Sequence, residues 1–137
     1  MKNSETKLNA EQLAAVAHSY FAAADARDLD AVFAHFDPNI VHRTLGQPGE
    51  LDHRLSRGIE ELRPGWEDYF ARGVETHEII NLVVDEGSSK VSTEQVIWDV
   101  RGDGPVPVQY NCNFFDIGPD GRITRMVVWM SRHESQK

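Results

Sequence analysis

Along the N-terminal third, apolar positions recur at helical spacing. Leu13, Val16, Ala17, Tyr20, Phe21 and Ala24 form one stripe, as expected for a helix with one face on a core. Asn9 stands where an N-cap belongs, with Gln12 in the capping-box position. At about 100° per residue, Tyr20 falls near the middle of the stripe and Asp25 at its edge, on the Phe21 side. Asp28 can cap a second helix in which Leu29, Val32, Phe33 and Phe36 share a face, ended by Asp37-Pro38. Asn39 to Thr44 is short and partly apolar, which predicts an edge strand. GQPGELDHRLSRG, from Gly46 to Gly58, predicts a polar loop. A third helix follows with Ile59, Leu62, Trp66, Tyr69 and Phe70 as its apolar set, and Pro64 inside it is expected to kink or split it.

From Val74 onward the period changes from helical to strand-like. THEIINLVVD, KVSTEQVIWDV, VPVQYNCNFFDI and RITRMVVWM are four β-rich runs separated by EGSSK, RGDGP and GPDG, each with turn chemistry. Consecutive strands with short connections imply an antiparallel meander. Helices first and sheet second give an α+β fold: a curved, cone-shaped antiparallel sheet packed against three N-terminal helices. A pocket between such layers is the default ligand site. Residues 1–8 are expected to be a disordered tail, and residues 9–133 a single domain. On one strand His77, Ile79, Asn81 and Val83 are expected to share a face, and Ile80, Leu82 and Val84 the other. Both sets contain apolar residues, so the second face suits a dimer interface.

The chain has 137 residues, enough for one domain. Its net charge of −8 argues against nucleic acid, which needs a basic footprint, and against an anionic membrane surface. No apolar run approaches a membrane span, and the polar start MKNSETKLNAEQ lacks a signal peptide's apolar core. A cytoplasmic protein is the expectation. Cys112 is the only cysteine, so no intrachain disulfide forms; it reads as a small strand residue. The six histidines His18, His35, His42, His53, His77 and His133 form no metal-ligand motif, since HEIIN breaks H-E-x-x-H at its last position. No metal and no cofactor is expected.

The order of elements, with YFAAADARDLDAVFAHFDPNIV at the front and FFDIGPDGRITRMVVW at the back, resembles the nuclear transport factor 2-like superfamily, and within it the SnoaL-like group. The resemblance covers roughly residues 10–132. It implies the cone-shaped fold, and a homodimer with sheets back to back. It leaves the reaction open, because the superfamily includes isomerases, dehydratases, epoxide hydrolases, polyketide cyclases and proteins with no catalysis. Against ketosteroid isomerase, Tyr20 looks like the oxyanion-hole tyrosine, Arg43 stands in the place of the base aspartate, and Asn113 in that of the second acid. Arginine stays protonated and cannot serve as the base. Lindane dehydrochlorinase, bile-acid 7α-dehydratase and scytalone dehydratase are similar in two places: an aspartate near the end of the first helix, as at Asp25, and a histidine opening the first long strand, as in His77-Glu-Ile-Ile-Asn81. That similarity implies His77 as a base on carbon with Asp25 orienting it.

The chemistry of these residue types fits such roles. Histidine is the natural base near neutral pH. A carboxylate on one ring nitrogen leaves the other free to accept. The Tyr20 phenol can donate to a developing enolate or a leaving oxygen. Asn113, Arg43, His42, Trp129 and Asp99 are candidate substrate contacts. The expectation is a cofactor-independent lyase or isomerase acting on a small hydrophobic oxygenated ring compound. One alternative is a non-catalytic ligand-binding or dimerisation module. A second is a polyketide cyclase or hydrolase-like activity using other acids such as Asp99. Each candidate also has a plain structural role open to it: a helix-end charge for Asp25, a satisfied histidine for His77, a packed aromatic for Tyr20.

Overall fold

A computed structural model describes residues 7–46, 54–73 and 75–131. The first helix, α1, spans Ala10–Asp25. The Asn9 side chain accepts from the Gln12 backbone N–H at 2.8 Å, and the Gln12 side chain accepts from the Asn9 N–H at 2.9 Å. Those bonds satisfy two donors that a helix start leaves open. Leu13, Ala17, Tyr20, Phe21 and Ala24 are buried as the stripe requires. Of the expected tail, only Lys7 and Leu8 are described, and Leu8 packs against the core.

Helix α2, Leu29–Ala34, starts where Asp28 accepts from the Ala31 N–H at 3.1 Å. It is shorter than the apolar spacing predicts. Phe36 does not extend it but opens strand β1, Phe36–Leu45. The Ile123 N–H donates to the His35 carbonyl at 2.7 Å, and Phe36 pairs with Ile123. Sheet pairing thus captures the chain before Pro38 could stop a helix. Strand β2, Arg54–Arg57, lies inside the segment predicted as a loop; residues 47–53 of that loop fall outside the described residues. β2 takes the sheet edge, so β1 is an interior strand and not the edge expected for it. Gly46 ends β1 at φ +85, where an added Cβ would stand 2.2 Å from the Met130 carbonyl oxygen. Only glycine fits that crossing.

Helix α3, Ile59–Arg72, runs through Pro64 as one element. The Glu60 carbonyl, which loses its partner at Pro64, belongs to an exposed residue, so water can take the bond. The meander follows: β3 Glu75–Asp85, β4 Lys90–Asp99, β5 Val106–Ile117 and β6 Ile123–Met130. The six-stranded sheet has the order β2-β1-β6-β5-β4-β3. Every pairing is antiparallel except β1 with β6, which is parallel. The sheet is therefore mixed at that one seam. The helices cover its concave face, and Leu13, Ile40, Phe115, Ile123 and Met126 are fully buried between the layers. Each such side chain contributes about 1.5–3 kcal/mol on burial.

A β-bulge between Ile79 and Asn81 resets the alternation of β3. His77 and Ile79 face the helices, but beyond the bulge Leu82 and Val84 do so, while Asn81 and Val83 are exposed. The expected common face of His77, Ile79, Asn81 and Val83 is thereby broken, because one extra residue inverts every later side chain. On the convex face Ile80, Val83, Tyr110, Phe114 and Trp129 are large exposed apolar or aromatic residues. Among the described residues, no helix is long and apolar enough to cross a membrane.

Candidate active site

A cavity of about 440 Å³ opens between α1, α3 and the concave face. One wall is aromatic, from Tyr20, Phe21, Trp66 and Tyr69. The opposite wall comes from the sheet and sets a row of carboxamides beside the apolar Ile97, Val128 and Met130. Gln95 projects from β4, and Gln109, Asn111 and Asn113 project from alternate positions of β5. His42 and Thr44 close the β1 side, and His77 the β3 side.

His77 and Asp25 meet. The His77 Nδ1–H donates to Asp25 Oδ1 at 2.6 Å, and the His77 backbone N–H donates to the same carboxylate at 3.0 and 3.2 Å. Asp25 is thus bonded to both the ring and the backbone of the residue it orients. This bond assigns the proton to Nδ1 and leaves Nε2 able to accept. Among the described residues, Nε2 has no hydrogen-bond partner. The ring lies 5.2 Å from that of Phe21, centroid to centroid, and only 12% of the side chain is exposed. Arg27 ties the two elements together: Nη1 donates to the Asp25 carbonyl at 2.9 Å and Nη2 to the Glu75 carbonyl at 3.0 Å. Its backbone sits at φ 55, the left-handed region, just past the end of α1. Asp25 itself stands behind His77 and does not line the cavity.

Tyr20 is buried and edge-packed against Phe21, Trp66 and Phe115, with its ring at the cavity wall. Burial, with the nearby Tyr69 and Asp25, pushes its phenol well above the usual range. It therefore stays a donor at any working pH. Burial also lifts the Tyr69 phenol, helped by the adjacent Glu75 and Asp25 charges. His42 is pushed down to about 4 by burial, so it is neutral near pH 7.

Asn113 is buried at the cavity wall, as expected for a substrate contact, and His42 joins it there. Three other candidates do not. Arg43 and Trp129 line a shallow depression on the convex face together with Phe114 and Arg125. In β1, His42 and Thr44 point inward, so Arg43 must point outward; Trp129 is likewise flanked by the inward Val128 and Met130. Asp99 ends β4 in an ion pair with Arg101 at 2.7 Å, and those hydrogen bonds hold its carboxyl below the usual range. It does not line the cavity. Asn81 of the H-x-x-x-N spacing is also off the site, its amide 3.5 Å from Glu94. Trp98 bonds Glu78 at 3.0 Å and does not fill the pocket.

Gln95, Gln109 and Asn111 were not expected here. A signal for two of them lies in QYNCNF, where Gln109, Asn111 and Asn113 alternate with Tyr110, Cys112 and Phe114. Polar residues at the positions continuous with the buried Phe115 mark a strand whose inner face turns from core to cavity. Among the described residues, no group of three or more His, Cys, Asp or Glu side chains is placed to hold a metal ion.

The model of the SnoaL-like domain family matches residues 17–126. No curated protein matches significantly in sequence. Among solved structures, Bal32a from a soil-derived mobile gene cassette aligns with a TM-score of 0.70 at 19% identity, over 88% of this chain and 90% of its own. A protein of unknown function with a cystatin-like fold from Methylobium petroleophilum gives 0.72 at 16% identity, over 96% and 83%. SalBIII, an epoxide hydrolase/cyclase-like enzyme in pyran ring formation in the polyether salinomycin, gives 0.70 at 18% identity, over 88% and 92%. Likeness at these identities carries the fold alone.

Proposed function

The chain belongs to the SnoaL-like domain family, and within it we propose a lyase or isomerase that works by acid–base chemistry on a small oxygenated ring compound. The observation that carries this is the 2.6 Å bond from His77 to Asp25, with His77 at the cavity wall. His77 Nε2 takes a proton from a carbon beside a carbonyl, and the bonding pair moves toward the carbonyl oxygen. In an isomerisation that oxygen becomes an enolate and the proton returns to another carbon. In an elimination the pair expels a hydroxyl from the neighbouring carbon. The Tyr20 phenol stabilises the developing oxygen charge or protonates the leaving group. Asp25 holds the Nδ1 proton and balances the imidazolium that forms.

The test needs no knowledge of the natural substrate. Exchange of the α-protons of 2-tetralone in D₂O, followed by proton NMR, reads the first step alone. His77→Ala is expected to lose about 10²–10⁴-fold in rate, and Asp25→Asn to fall steeply as well. Exchange that survives His77→Ala unchanged overturns the assignment. A role for Asp99 in a hydrolase- or cyclase-like reaction has less support, because Asp99 is paired with Arg101 away from the cavity. Asp99→Asn is expected to leave turnover intact.

A pure binding module is the competing function. It is favoured by Arg43, in the place of the ketosteroid-isomerase base, standing outside the cavity, and by Asn113 in the place of the second acid. Saturable turnover abolished by Asp25→Asn excludes it. We also propose that the convex face, with Ile80, Phe114 and Trp129 exposed, packs against a second copy. A monomer by sedimentation at micromolar concentration overturns that.

A further inference from the structure

The carboxamides of the sheet wall form a directed chain. The Thr93 hydroxyl donates to Gln95 Oε1 at 2.8 Å, and Gln95 Nε2 donates to Asn113 Oδ1 at 2.8 Å. Asn113 Nδ2 faces the Met126 sulfur at 3.8 Å. The sulfur fixes the polarity, since an amide N–H tolerates a thioether and a carbonyl oxygen is repelled by it. Beside this chain Gln109 Nε2 donates to Asn111 Oδ1 at 2.7 Å. Gln95 Oε1, Asn113 Oδ1 and Asn111 Oδ1 each accept a bond within the wall, while among the described residues Gln109 Oε1 has no such partner. What remains beside that one oxygen is N–H: the second hydrogens of Gln95, Gln109 and Asn113, and both of Asn111. Gln95 and Asn113 are 1% and 3% exposed, so these donors have no bulk water to turn to. Gln95 and Asn113 are thus buried donors without charge, and the half-buried Asn111 adds another.

Among the described lining residues, no free cation stands ready for an anion. Arg72 is the guanidinium among the described lining residues, and it pairs with Asp68 at 3.4 Å and lies over Tyr69. Glu61 and Glu75 also line the cavity. His42, half-buried on the far side, is neutral near pH 7. Among the described residues, a carboxylate or phosphate entering would meet two acids and no free positive group, and would lose its hydration.

We propose that the Gln95/Asn111/Asn113 wall is the specificity element of the site, and that it selects an uncharged ligand gripped by a carbonyl or ether oxygen over the matching carboxylate. This rests on the cavity being the substrate site and refines the substrate class to neutral, acceptor-bearing rings. The register gives the span. His77, Ile97 and Gln109 form one row across β3, β4 and β5, and Gln95 and Asn111 form the next. Two strand spacings, roughly 10 Å, separate β3 from β5. A molecule held by its oxygen on the wall and presenting a carbon to His77 is therefore one or two rings across.

The experiment compares three probes on one ring frame by isothermal titration and NMR shift perturbation: 2-tetralone, tetralin and tetralin-2-carboxylate. The ketone is expected to bind at least tenfold more tightly than the carboxylate at pH 7.5. Asn113→Leu and the milder Asn111→Ala are each expected to weaken the ketone by about three- to tenfold, the worth of one neutral hydrogen bond. Tetralin affinity should not fall. Equal loss for ketone and tetralin, a carboxylate that binds as well as the ketone, or no saturable ketone binding at millimolar concentration overturns the proposal. His77→Ala is the separating control. It should keep the ketone affinity while α-proton exchange disappears, so a failed catalytic assignment and a failed specificity assignment give different results.

Discussion

The inner face of the sheet has two halves that share the same strands and the same parity, yet differ in chemistry. At the closed end β5 contributes Ile117 and Phe115, β4 contributes Val91, and β6 contributes Ile123 and Met126, all buried in the core. Toward the open end the same alternation continues as Asn113, Asn111 and Gln109 on β5 and as Thr93 and Gln95 on β4. The change falls within one step along β4 and β5, whereas β6 stays apolar through Val128 and Met130. Burial is therefore not what separates the halves, because Gln95 and Asn113 are as buried as Phe115. What separates them is whether another protein surface or a cavity lies opposite. The closed half is selected for packing and the open half for unspent hydrogen-bonding capacity.

Substitutions that probe each half should therefore behave differently. Phe115→Ala, at the closed end, is expected to cost about 3–5 kcal/mol, because the site is surrounded and cannot collapse; urea denaturation measures it. A cost below about 1 kcal/mol would erase the distinction. His42, where the open half meets β1, makes stability depend on pH. Its folded pKa of about 4 lies below the unfolded 6.5. The unfolded chain therefore takes up the proton first as pH falls. The contribution is intact above 6.5 and is lost between 6.5 and 4, reaching about 2 kcal/mol by pH 5. Comparing urea midpoints at pH 7.5 and 5 for the parent and His42→Gln isolates it, and the variant should lose that part of the slope.

A smaller effect is expected where the open half is made to look like the closed half. The triple variant Thr93→Val, Gln95→Leu and Asn113→Leu removes the whole Thr93–Gln95–Asn113 chain, so no orphaned group is left behind. Its stability should stay within about 1 kcal/mol of the parent, or rise, while ketone binding falls. A strong destabilisation would mean that the amide chain holds the fold together. Least of all, Ile80→Lys on the convex face should change the stability of the isolated subunit by about 0.5 kcal/mol or less. Its readout is sedimentation, where it tests the face proposed for a second copy.

Much of this was legible in the chain, for stated reasons. The Asn9 and Asp28 caps, the α1 stripe and the four meander strands are local patterns, and each appears where its spacing puts it. The meeting of Asp25 with His77 came from a family resemblance and not from spacing, since more than fifty intervening residues separate them. The misses are non-local. The exit of Phe36 from α2, the interior place of β1 and the edge strand β2 depend on pairing with distant segments. The outward turn of Arg43 follows from that register. The bulge at Ile80 shifts the face of Asn81 by one residue, and nothing in EIINLV distinguishes a bulged strand from a regular one with two apolar faces.

The parallel seam between β1 and β6 has a consequence for how the molecule comes into being. Phe36 finds its partner in Ile123, and Val41 in Arg125, so the first strand waits for the last. Until β6 has been synthesised, β1 lacks its interior neighbour, and α1, β1 and α3 have no closed sheet to lie on. Pairings of such long sequence separation are slow to form and leave apolar surface open in the meantime. The cavity wall, drawn from residues between Tyr20 and Met130, is complete only when β6 has joined the sheet. A ribosome-bound chain stopped within GPDG would lack Val128 and Met130 of the cavity wall and the strand against which His42 and Thr44 are held.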